Sequence, residues 1–266
     1  MPAESLEETE YTWYTSLGED EFKMRMDKIR RRMKERGLDA SVIYASAREF
    51  PASHIRYVSN YGARDSSLVV LPAEGEPALV LGSHWAVPLA KESSWIKDVR
   101  PMGPSPGAEA KNCLDRLGIK KGTLGLIGYN EMTTAEYESF RKGLSGYDTR
   151  NSETILDEMR LVKSPKEIEL HRKAAQICDE ALEGFKRVAK PGVREYKAWA
   201  EMEYTAYRRG AETQSSLCSI ASGPYVGIQP TSPRVRKYER GDLVIASSVF
   251  RYRGYWAQVI RTGYIG

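Results

Sequence analysis

Between Asp20 and Gly37 the apolar positions recur at a helical interval. Phe22, Met26, Ile29 and Met33 share one face, charged residues fill the others, and Gly37 supplies a C-terminal stop. Beyond it the pattern shortens. "ASVIYA", "HIRYVSN", "SSLVVLP" and "PALVLGS" are β-branched or aromatic runs separated by Gly and Pro, and each is expected to be a strand. Their close spacing predicts a sheet with neighbouring hairpins. The helical period returns in "GAEAKNCLDRLGI" and "TTAEYESFRKGL", with "TLGLIGY" as a strand between them, which completes an α/β unit by about Arg150.

A second unit opens at "RLVKSPKEIELHRKAAQICDEALEGFKRVAKPG". Ser164 is placed as an N-cap, Pro165 as the first helical residue, and Glu167 completes a capping box. Ile168, Ala175, Ile177, Ala181, Leu182 and Phe185 form the predicted apolar stripe, and "KPG" stops the helix at Lys190. A second helix follows over "EYKAWAEMEYTAYRRG" and ends at Gly210. After a strand-like "SSLCSIASGP" and a loop, "GDLVIASSVFRYRGYWAQVIRTGYIG" reads as two strands joined by a tight turn.

Composition narrows the classes. The 266 residues carry 40 Lys and Arg against 36 Asp and Glu, a net charge of +4 that is too balanced to imply nucleic acid. "RRRMK" and "RVRKYER" are read as solvated faces. No apolar window reaches the length needed to cross a bilayer, and the acidic start "MPAESLEETEYTWY" lacks the apolar core of a signal peptide. Cys113, Cys178 and Cys218 form no close-spaced pair, which suits buried thiols in a reducing cytoplasm and excludes a zinc knuckle.

With these landmarks in place, the chain resembles the creatinase and proline-specific aminopeptidase family, the pita-bread fold. "KSPKEIELHRKAA" resembles the segment that opens the family's second domain, and "KPGVRE" its helix-to-helix turn. "ASGP" and "RGDLV" match the next landmarks, "YRGYWAQVIRT" resembles the family's hairpin, and "IRYVSNYG" stands for a signature of its N-terminal domain. The fold implied is an α/β N-terminal creatinase-like domain followed by the first half of an α+β pita-bread domain. The expected boundaries are an extension over 1–19, the creatinase-like domain over 20–155 and the partial pita-bread domain over 156–266.

In metal-dependent members the hairpin carries two aspartates eleven residues apart, which bridge a pair of divalent ions. Here those positions fall on Ser247 and Gln258, themselves eleven apart. A hydroxyl and an amide cannot offset two cations, and hard metals select carboxylate oxygen, so no metal centre and no cofactor are expected. Creatinase works without metal, with a histidine in the loop after the Ser-Gly landmark. In this chain that loop is "YVGIQPTSP" and Pro230 takes the histidine's place; neither Gln229 nor Thr231 is a base near neutral pH. The histidines present are His54, His84 and His171, of which His54 lies near the strand end that approaches the active site in relatives.

The resemblance leaves several groups for a polar organic ligand. Arg64 falls where creatinase has a substrate-binding arginine. Ser247 and Gln258 face the former metal position, Tyr255 and Trp256 lie on opposite faces of their strand, and His54 completes the substrate-binding set. No catalytic residue is assigned. The resemblance implies a metal-independent hydrolase of a C–N bond in a small amino-acid-like or guanidino compound, completed by sequence or a chain beyond these residues. Two alternatives stand beside it: a non-catalytic binder of a peptide or partner protein, and a metal-dependent Xaa-Pro peptidase with substitute ligands. The expected partners are a small-molecule or peptide ligand and a second copy, a second chain, or both. Neither nucleic acid nor membrane is expected. Alternation over Tyr255–Ile265 leaves apolar groups on both strand faces, so this strand is expected to be covered.

Overall fold

The computed structural model describes residues 17–46, 53–62, 65–212, 217–228 and 232–266. The chain divides into two compact units, the first ending at Val162 and the second running Lys163–Gly266.

The first unit is a six-stranded sheet between helices. Its elements in order are α1 (Glu19–Glu35), β1 (Ala40–Ala45), α2 (Ser53–Ser59), β2 (Ser67–Pro72), β3 (Ala78–Leu81), α3 (Val87–Ser93), β4 (Asp98–Pro101), α4 (Pro106–Arg116), β5 (Thr123–Ile127), α5 (Thr134–Gly143), β6 (Asp148–Asn151) and α6 (Thr154–Leu161). The strands lie in the order β4-β3-β2-β1-β5-β6. β2 runs antiparallel to β1 and β3, which confirms the neighbouring hairpins, while β1–β5, β5–β6 and β3–β4 are parallel. A strand covered on both faces needs apolar side chains at every position rather than every second one. β1 shows why: Ile43 and Ala45 join one core with Met26, Ile29 and Met33 of α1, and Val42 and Tyr44 join another with Ala110, Leu114 and Phe140.

One expected strand is a helix. "HIRYVSN" forms α2, with Ile55 and Val58 fully buried beside Tyr57 and Tyr61. Every side chain described from His54 to Asn60 is buried, so the segment has no polar face from which a period could be read. Asn60 adopts the left-handed conformation (φ 71°) just past the helix end, and its N–H returns to the carbonyl of Arg56.

The second unit contains α7 (Pro165–Val188), α8 (Glu195–Arg208), β7 (Ser219–Ser222), β8 (Leu243–Tyr252) and β9 (Tyr255–Tyr264). The expected capping box is present: the Ser164 hydroxyl accepts from the Glu167 N–H (3.3 Å), and the Glu167 carboxylate accepts from the Ser164 N–H (2.8 Å). The apolar stripe of α7 is shifted from the expected one, running through Ala174, Ile177, Cys178, Ala181, Leu182 and Phe185, with Ile168 exposed. The first turn instead buries Glu167, which accepts a hydrogen bond from Tyr255 Oη at 3.0 Å. The sheet order is β7-β8-β9, antiparallel throughout. β8 and β9 are joined by Arg253 (φ 46°) and Gly254 (φ 89°), the two left-handed residues of a type I′ turn.

Candidate functional site

The two faces of the β8–β9 hairpin differ in kind. Val244, Ala246, Phe250, Ala257 and Val259 turn toward the helices and pack with Ile177, Ala181 and Met202. Alternation sends Ser247, Val249 and Arg251 of β8, and Trp256, Gln258 and Ile260 of β9, to the other face. In the register Ser247 lies opposite Ile260, and Gln258 opposite Val249, so Ser247 and Gln258 are diagonal neighbours. Gln258 Nε2 donates to Ser247 Oγ at 3.1 Å. Ser247 is buried at 2% exposure, while Gln258 reaches solvent. Ser247 and Gln258 thus meet across the two strands.

The pair is neutral, and what it offers is limited by its chemistry. Gln258 keeps its carbonyl oxygen and one amide hydrogen for other partners, and Ser247 keeps its hydroxyl hydrogen. Two divalent ions need anionic oxygens to offset their charge. Neither side chain supplies one, and among the described residues no three His, Cys, Asp or Glu side chains gather in a group that could hold a metal. The donor set does not fit the paired-metal centre that carboxylates at these two positions would build.

Next to the pair lies an ion pair that the pattern of the sequence did not reveal. Arg251 meets Glu212 at 2.5 Å, both side chains less than a tenth exposed, and the Arg251 guanidinium lies 5.3 Å from the centroid of the Trp256 ring. Glu212 also accepts from the Gly254 N–H, and its own N–H donates to the Arg251 carbonyl at 2.8 Å. Glu212 thus clamps both the hairpin turn and the only described cation pointing toward Trp256 from β8. Below the site, fully buried Glu195 accepts from Ser222 Oγ and, at 2.7 Å, from the Arg234 N–H. Arg236 donates to Ser222 Oγ (3.1 Å) and to both oxygens of Asp242 (2.5 and 2.8 Å). These hydrogen bonds hold the Asp242 carboxyl below its usual range. The network ties the end of β7 to the start of β8. A buried carboxylate has no period of its own; Glu195, Ser222 and Asp242 stand in the KPGVRE, ASGP and RGDLV landmarks, which marked their positions but not their contacts.

The other candidates are dispersed. Tyr255 points to the helix side, where its hydroxyl bonds Glu167 and its ring stands edge-on to His171 at 5.2 Å. His171 Nδ1 lies 3.0 Å from the Trp256 carbonyl. Tyr255 is therefore a support of the hairpin rather than a neighbour of Gln258. His54 sits in α2 of the first unit at 4% exposure, with Nδ1 3.2 Å from Arg160 Nη1 and Nε2 3.8 Å from Glu153 Oε2. Burial, then the Arg160 charge, push its pKa down to about 4. Arg64, Gln229, Pro230 and Thr231 lie outside the described residues.

The comparisons agree with this fold. A family model described as Creatinase/Prolidase N-terminal domain matches residues 25–162, and one described as Metallopeptidase family M24 matches residues 169–266. The chain is 24% identical over 244 residues to an Xaa-Pro dipeptidase of Pyrococcus furiosus, covering 92% of this chain and 65% of that protein. It is 25% identical over 279 residues to an ectoine hydrolase of Halomonas elongata, covering 93% of this chain and 66% of that protein. Among solved structures, an X-Pro aminopeptidase from Thermotoga maritima superposes with a TM-score of 0.79 at 22% identity, over 91% of this chain and 65% of that one. The chain thus spans about two thirds of the length of the proteins it matches. With residues 25–162, more than half of the chain, matched by the N-terminal family model and its second unit built as the opening portion of a pita-bread domain, the chain belongs to the creatinase/prolidase family.

Proposed function

We propose that this protein hydrolyses a C–N bond in a small amino-acid-like or guanidino compound without a metal centre. The observation that carries the reading is the Ser247–Gln258 hydrogen bond, at the two positions where the resemblance puts the family's bridging carboxylates. A neutral pair of this kind can hold and orient an amide, carboxylate or guanidino group through fixed hydrogen bonds, without a cation to polarise it. The adjacent Arg251–Glu212 pair is already neutralised and rigid, so it shapes the wall beside Trp256.

None of Ser247, Gln258 and Trp256 can carry a proton to or from a leaving nitrogen near neutral pH. In this reading the proton-transfer group comes from polypeptide other than these strands, either more of the same protein or a partner chain. The similarity to an ectoine hydrolase supports a substrate that is not a peptide. Cys113, Cys178 and Cys218 are buried thiols, as suits a reducing compartment, and on that ground we assign the protein to the cytoplasm; no helix among the described residues is long and apolar enough to cross a membrane.

The test is a product assay on creatine, ectoine and an Xaa-Pro dipeptide, with and without a strong chelator, run on the chain together with the polypeptide that supplies the proton-transfer group. Turnover of a non-peptide compound that the chelator leaves unchanged is the expected result. Activity confined to the dipeptide and dependent on added Mn or Co would contradict the reading, and so would binding of these compounds without turnover.

A further inference from the structure

We infer that Arg234, laid on the ring of Tyr225, is a receptor for the carboxylate of a small organic acid or amino acid. Gly223–Tyr225 is a short helical turn at the end of β7, and Arg234 lies on the segment that returns toward β8. One fully buried carboxylate holds both ends of this excursion. Glu195 accepts from Ser222 Oγ before it and, at 2.7 Å, from the Arg234 N–H after it. The Arg234 guanidinium carbon stands 4.2 Å from the centroid of the Tyr225 ring, a stacked contact that closes the excursion a second time. Backbone and side chain of Arg234 are thus fixed by separate partners.

The charge of this arginine is unanswered. Arg25, Arg236 and Arg251 each meet a carboxylate, those of Glu21, Asp242 and Glu212 respectively. Half-buried Arg234 makes no ion pair among the described residues, and its Nη1 is buried with no hydrogen-bond acceptor. The acids of the surrounding network are already engaged, Glu195 by Ser222 and the Arg234 N–H, Asp242 by both terminal nitrogens of Arg236. Arg194, whose Nη1 donates to the Val235 carbonyl at 2.6 Å, and Lys237, its partner across a β-bridge, add further positive charge to the segment.

A guanidinium that is partly desolvated and unpaired gains most from an anion that accepts from its N–H groups. Nη1 alone of its nitrogens is buried without an acceptor, so Nε and Nη2 are the edge left for a ligand. Two parallel N–H groups on one planar edge match the two oxygens of a carboxylate. The ring beneath fixes the plane of that edge before a ligand arrives, which lowers the ordering cost of binding. The receptor stands at the end of the strand whose Ser219 pairs with Ser247. It rests on Arg234 and Tyr225 and not on the reaction proposed at Ser247 and Gln258.

The experiment uses the intact chain with acetate as the probe, and needs no turnover. The readout is the thermal midpoint in sodium acetate minus that in sodium chloride of equal ionic strength. Acetate at about 200 mM should raise the native midpoint by roughly 2–4 °C. Arg234→Met should abolish that difference while keeping the bond to Glu195, which uses the backbone N–H. Tyr225→Phe should retain the difference, because the ring remains, and Tyr225→Leu should reduce it. Arg234→Lys keeps the charge but loses the planar edge, so its difference should also fall; this variant decides the matter if Arg234→Met does not fold. No stabilisation of the native chain by acetate, or equal stabilisation of the Arg234 variants, would overturn the inference. So would inorganic phosphate acting through Arg234 as strongly as acetate, which would mark a general anion site.

Discussion

At the scale of single residues, the argument turns on groups that are buried, polar and paired. Glu212 and Arg251 are the clearest case, since each is less than a tenth exposed and each is the other's counter-charge. Removing one partner of such a pair leaves an uncompensated charge in low dielectric. Glu212→Ala should accordingly destabilise the second unit by about 3–5 kcal/mol, measured by denaturant unfolding. His54 makes a prediction about pH. Its folded pKa of about 4 lies below the ordinary 6.5, so the unfolded chain binds the extra proton first. The stability it provides is complete above pH 6.5 and declines as the pH falls toward 4, by up to roughly 3 kcal/mol. Burial sets this shift first and the charge of Arg160, which meets Nδ1, second; Glu153 lies near Nε2 but does not lower the pKa. His54→Gln should flatten the acid limb of the thermal midpoint measured against pH; an unchanged slope between pH 6.5 and 4 would count against a neutral buried His54.

At the scale of elements, the start of α7 was fully legible because a capping box is written in four consecutive residues. Ser164→Ala should cost about 1 kcal/mol through the lost cap. Glu167→Ala should cost more, because it also removes the hydrogen bond that buried Glu167 accepts from the Tyr255 hydroxyl. Comparing the two variants by chemical denaturation tests that ordering. α2 was not legible. Its β-branched and aromatic residues resemble a strand, and only tertiary burial on every side made it a helix. α3, β4, β6 and α6 were also missing from the sequence reading. They are short, and β6 is exposed along its whole length, so no hydrophobic period marked it. In the hairpin, alternation predicted that Tyr255 and Trp256 would part, and they do. That Tyr255 is consumed by Glu167 and His171 depends on α7 and could not be read along the strand.

At the scale of the whole molecule, the order of the landmarks identified the family before any coordinates, and both units have the expected architecture. Ser247 and Gln258 were singled out by the family resemblance, and the two-residue turn then makes them diagonal neighbours across the strands. The Arg251–Glu212 clamp and the Glu195 network were not, since both join residues far apart in sequence through buried charges that leave no periodic trace. The central claim is that a hydroxyl and an amide stand where the family's two bridging carboxylates stand, and that this site works without metal. Calorimetric titration of the purified chain with Mn²⁺, alongside the double variant Ser247→Asp/Gln258→Asp, tests it most directly. The account predicts no binding heat for the native chain and measurable uptake once the two carboxylates are restored; tight stoichiometric Mn²⁺ binding by the native chain would contradict it.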